Sequence, residues 1–128
     1  MSYTVVFLPE FARQFANFPE DHQNKVLDFI ELYEQFGFSD FTKYEGKIAP
    51  SWTSGSENYQ YAKSNDLWHY HIGIPVYNQL HQKYKTSDTV LHFQWPGRGK
   101  EIKLVDMYDH YTSAGKFYLP PATYLKLK

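Results

Sequence analysis

In the stretch Asp66-Leu67-Trp68-His69-Tyr70-His71-Ile72-Gly73, two histidines stand two apart inside a run that reads as a β-strand. Strand side chains alternate between faces, so His69 and His71 share one face. Three chemistries fit the pair. An H-x-H pair on a strand can ligate zinc or iron if further ligands join it, and His92 on a neighbouring strand is a candidate. Imidazole also suits proton transfer, because its ordinary pKa of roughly 6.5 lies near working pH. The third reading is two plain polar residues on a wet sheet face.

Composition narrows the setting. A chain of 128 residues suits one domain, 1–128, with a possible extended tail at 112–128. The hydrophobic fraction of 42% is enough for a core. Aromatic residues make up 20%, so some rings are expected at a partner surface as well as inside. The absence of cysteine removes disulfides, thiolate metal sites and a thiol nucleophile. The opening MSYTVVFLPEF lacks the pattern of a signal peptide. No stretch approaches the ~20 apolar residues of a membrane span, so a soluble cytoplasmic protein with no membrane partner is expected. The charge is uneven. Residues 1–62 hold four basic and nine acidic side chains, net −5, and residues 63–128 hold nine and five, net +4. A near-neutral chain can therefore still offer an anion a basic face.

These residues need elements to position them. YTVVFL at Tyr3–Leu8 reads as a strand, and Pro9 ends it and suits the first position of a short helix. Phe11 and Phe15 then share a face. Pro19, with Glu20 and Asp21, opens a longer helix. Val26, Phe29, Ile30, Tyr33 and Phe36 repeat at helical spacing, and Gly37 stops it. A short strand is expected near Thr42–Ile48. Asn58–Lys63 and Leu67–Ile74 read as strands joined by the turn Ser64-Asn65-Asp66. Val90–Trp95 and Ile102–Tyr108 complete the strands, on either side of the turn Pro96-Gly97-Arg98-Gly99. A slip in alternation at Leu104-Val105 predicts a bulge. The order gives an α+β domain: an N-terminal strand and two helices packed on one face of a mainly antiparallel twisted sheet. The other face would stand bare and display His69, His71 and His92.

This layout resembles the RelE/ParE superfamily, the toxins of type II toxin–antitoxin pairs. The residues that carry the likeness are YTVVFLPEFARQFANFPEDHQNKVLDFIELY, LWHYHIG, VLHFQW and IKLVDMYDHY, over roughly residues 3–112. KYEGK at 43–47 stands where such toxins often carry a Lys-Leu-x-Gly-like stretch. The histidine-bearing region looks most like the YafO-type ribosome-dependent members. Trp68-His69 replaces the Tyr-Arg-like pair common in relatives, and the connection at 75–88 and the tail past 112 are additions.

The resemblance implies ribosome-dependent mRNA cleavage without a metal or other cofactor. It also implies a cognate antitoxin, the mRNA and ribosome as partners, and a toxin–antitoxin hetero-oligomer. Such cleavage needs a base for the 2′-OH, a cation for the phosphoryl oxygens and an acid for the leaving 5′-oxygen. His110 is the expected acid or base, with Tyr111 or Tyr108 aligning it or stacking on a base. Arg98, the only arginine in the C-terminal half, is expected on the scissile phosphate. Glu45 is a secondary base, and His69 and His71 are further members of the site. Lys43, Lys47, His92 and Lys103 are expected on the RNA. Each also has a plainer reading: His110 as a structural histidine, Arg98 as a solvated turn residue, the lysines as surface charge, the tyrosines as core or antitoxin-facing rings. Two rival functions share the sequence, a non-catalytic toxin that binds a protein such as DNA gyrase, and a metal-binding sheet protein using His69, His71 and His92.

Overall fold

The computed structural model describes residues 3–52, 58–77, 85–109 and 118–126. Strand β1 (Thr4–Phe7) leads through Leu8 into helix α1 (Pro9–Ala16), with Pro9 in its first turn. Helix α2 (Glu20–Phe36) follows, with Pro19 as its N-terminal cap rather than its first residue. Its first turn carries Glu20 and Asp21, which suit the positive end of the helix dipole. Gly37 ends it at φ 59°, its amide donating to the Tyr33 carbonyl at 2.8 Å. A Cβ at Gly37 would lie 2.2 Å from the Tyr3 ring, so only glycine fits this stop.

The predicted strand at Thr42–Ile48 is replaced by a 3₁₀ turn, Phe41–Lys43, and a short strand β2 (Ile48–Pro50). The predicted strand at Asn58–Lys63 is a helix, α3 (Tyr59–Ser64). Tyr59 and Tyr61 mimic strand alternation, but six residues are too few for period alone to decide, and burial of Ala62 fixes the helix. Strands β3 (Leu67–Ile74), β4 (Thr89–Gln94) and β5 (Glu101–Asp109) fall where the sequence puts them, within a residue. The five strands form one mixed sheet in the order β1-β5-β4-β3-β2. β1 runs parallel to β5 and all other pairs are antiparallel. The domain is α+β. The expected bulge lies in β5: Phe93 pairs with Leu104 and His92 with Asp106, leaving Val105 extra.

One sheet face packs under α1 and α2. Trp68, Tyr70 and Ile72 of β3, Leu91 and Phe93 of β4, and Ile102 and Leu104 of β5 join Phe11, Val26, Phe29 and Tyr33 in one buried cluster. Phe29 stacks on Tyr70 at 4.8 Å between ring centroids. The opposite face is also closed, which overturns the expectation of a bare platform. Leu67, Val105, Leu8 and Ala62 bury together, with Tyr61, Leu119, Tyr124 and Leu125 packed against them. Helix α3 and residues 118–125, the latter ending in a 3₁₀ turn (Ala122–Leu125), thus cover it. The Tyr61 hydroxyl donates to the Pro120 carbonyl at 2.6 Å and ties the two covers together.

Candidate functional site

The register of β3, β4 and β5 assembles a polar row on this second face. His69 pairs with His92, and His92 pairs with Asp106. One step along, His71 pairs with Val90, and Val90 with Tyr108. The rings of His69 and His71 lie 5.5 Å apart, and those of His69 and His92 6.2 Å. The three imidazoles expected on one face are therefore neighbours. They are also buried, with His92 fully so. Polar side chains on alternate strand positions read as solvent-facing, but here other segments of the chain lie over them.

Burial demands partners. The Oγ of Ser51 and Nδ1 of His69 are 2.9 Å apart. Nδ1 of His71 lies 3.0 Å from both the backbone nitrogen and the carbonyl oxygen of Ser87. Burial lowers the His71 pKa and outweighs the hydrogen bonding at Ser87, while Lys47 adds to the lowering. Gly46 lets this edge close up, since a Cβ there would meet the His71 carbonyl oxygen at 1.7 Å.

At the other end of the row, Asp106 Oδ1 accepts from the Met107 amide at 2.9 Å, and Oδ2 accepts from the Tyr118 hydroxyl. Gln14 of α1 adds a side-chain hydrogen bond. Burial nevertheless holds the Asp106 carboxyl above the usual carboxylate range. Burial, then the bond and charge of Asp106, push the Tyr118 phenol up. The Tyr118 ring packs on His92 at 5.5 Å and on Tyr108 at 4.4 Å. Tyr108 is half exposed, at 50%, and is the accessible member of this row.

The remaining expected residues disperse. Lys47 lies beside His71: its backbone carbonyl accepts from the His71 amide at 2.9 Å. Glu45 is exposed and paired to Lys85 at 2.7 Å. Lys43 is exposed, its ammonium 4.9 Å from the centre of the Phe36 ring. Lys103 pairs with Val6 and Gln94, towards the opening of β5. Arg98 lies over Trp68 and Trp95, at 5.2 and 5.9 Å from their ring centres. Both indoles belong to the helix face, so Arg98 and the imidazoles are on opposite sides of the sheet. Arg98 precedes the start of β5 and Asp109 closes it, and an extended strand of that length spans about 26 Å. Arg98 and Tyr108 thus stand towards opposite ends of β5. His110 and Tyr111 lie outside the described residues.

Asp106 and Tyr118 were not among the expected site residues. An acidic side chain inside the otherwise apolar LVDMY is the signal that points to Asp106; nothing local points to Tyr118. Among the described residues no group of three or more His, Cys, Asp or Glu could hold a metal ion. None of the helices among them is long and apolar enough to cross a membrane. The row joins a buried carboxylate to a phenol by a hydrogen bond, and it offers a second phenol ring, Tyr108, to a ligand outside. No protein-family model, curated protein or solved structure matches this chain.

Proposed function

We propose that this protein is a cytoplasmic toxin of the RelE/ParE kind that cleaves mRNA on the ribosome by metal-free acid–base chemistry and is restrained by an antitoxin. One observation carries the reading. β5 brings the half-exposed Tyr108 onto the histidine face, one residue before the strand ends and the chain continues into His110 and Tyr111. Lys47 and His71 stand at that same end of the sheet. In this mechanism the buried imidazoles and Asp106 fix the end of β5 rather than touch RNA. Tyr108 stacks on a base, Lys47 attracts the phosphate backbone, and His110 moves the proton. Arg98 has no part in the cleavage step.

Induced expression tests this. Growth arrest with mRNA cut in translated regions, mapped by primer extension, is the expected result. His110→Ala should lower cleavage by roughly a hundredfold or more, and Tyr108→Ala should weaken it while leaving the fold intact. Full-length messages during arrest would end the nuclease reading. They would favour a second one, a toxin that binds a protein such as DNA gyrase. The burial and internal hydrogen bonding of His69 and His71 suit either reading, because neither asks these imidazoles to touch a ligand. DNA breaks with intact mRNA would identify the second.

A further inference from the structure

The helix face ends in a cluster that the RNA reading leaves unused. Trp68 and Trp95 meet edge to face at 4.9 Å, and Phe41 packs against both at 6.4 and 6.3 Å. The two indoles are nearly buried, whereas Phe41 is 40% exposed. The Pro96–Arg98 turn, with Gly97 at φ 60° and Arg98 at φ 52°, folds the guanidinium back over both indoles. The Trp95 indole N–H is already satisfied by the Gly99 carbonyl at 2.9 Å. Among the described residues, the ion pairs are Arg13 with Glu10 and Lys85 with Glu45, so Arg98 has no carboxylate there. Lys43 stands two residues beyond Phe41, with the Phe36 ring as its contact. The nearby Asp40 carboxylate is taken up by the Thr42 amide and hydroxyl.

An arginine stacked on aromatic rings is fixed in orientation, yet its N–H edge stays free for a bidentate anion. We propose that the Arg98 guanidinium, held over Trp68 and Trp95, and the exposed Phe41 ring form the docking site for an acidic segment of a partner protein. A carboxylate of that segment sits on the guanidinium edge, and an apolar side chain beside it packs on Phe41. A single-stranded nucleic acid fits less well. Base stacking needs open aromatic faces, and here both indoles are buried under Arg98 while Lys43 covers Phe36. The site is on the opposite side of the sheet from Tyr108, so it stands or falls independently of RNA cleavage.

Panning a displayed library of random 12-residue peptides against the full chain tests this. Enrichment of peptides pairing Glu or Asp with Leu, Phe or Trp is expected. A selected peptide should change tryptophan fluorescence on binding and weaken as salt is raised. Arg98→Ala should reduce its affinity roughly tenfold or more, and Arg98→Lys, which keeps the charge but not the fork, should fall between. Circular dichroism of both variants separates lost binding from lost fold. No acidic enrichment, or equal binding to Arg98→Ala, would overturn the proposal. So would a fluorescence change with oligouridylate that depends on Arg98 when no peptide is selected.

Discussion

On the helix face, Phe29 stacks on Tyr70 and meets Phe38, Tyr44 and Phe93 within 6.2 Å. On the other face, the same strands hold His69, His92 and Asp106 beneath Tyr118. The first layer is held by packing, which is non-directional and tolerates small shifts. The second adds, to the apolar packing around Leu67 and Val105, directed bonds to Ser51, Ser87 and Tyr118, each of which has to be made. Buried polar groups cost little when paired and much when one partner is removed. Both faces of one sheet are therefore closed, by different physics, and substitutions on them should fail differently.

The largest effect is expected at the centre of the helix face. Phe29→Ala should cost about 3–5 kcal/mol in urea unfolding, because it empties a site walled by four other rings. Loss of less than about 1 kcal/mol would mean that the face is not packed as described. Next, Tyr118→Phe keeps the ring and removes the donor to Asp106, and should cost about 1–3 kcal/mol. Hydrogen exchange should then speed up in β5 and spare α2. Tyr61→Phe breaks only the bond to Pro120 and should cost about 1 kcal/mol.

The smallest effect is in pH dependence, where two groups of the polar row oppose each other. His71 is held below its ordinary value of 6.5, so the unfolded chain binds its proton first and His71 destabilises the fold as pH drops below that value. Asp106 is held above its ordinary value of 3.8, so the folded chain binds its proton first. Its contribution is full below 3.8 and is lost as pH rises through the raised value. In thermal melts, His71→Gln should flatten the acid loss of stability and Asp106→Asn should steepen it. Parallel profiles for both variants and the parent would show that neither group titrates on folding.

The two faces also differ in how far the sequence reveals them. Val26, Phe29 and Tyr33 recur at helical spacing and Trp68, Tyr70 and Ile72 at strand spacing, so the helix face follows from periodicity. The slip at Leu104-Val105 likewise locates the bulge. On the second face, alternation correctly brings His69, His71 and His92 together and gets their environment wrong. That face is covered by α3, whose tyrosines imitate a strand, and by Tyr118–Leu125, distant in sequence and without a strong period of its own. Arg98 was misplaced for a related reason. Turn chemistry gives the turn, but the choice of face depends on how the guanidinium folds back onto Trp68 and Trp95.

The pairing of Thr4 with Glu101 has a consequence for biosynthesis. A nascent chain emerges N-terminus first, so β1 must wait for β5 before it has a neighbour. During that interval Phe7, Phe11 and Phe15 lack their final burial, and such exposure favours aggregation or chaperone capture. Prematurely terminated fragments cannot close the sheet, which makes completion of the polypeptide a precondition for whatever this protein does.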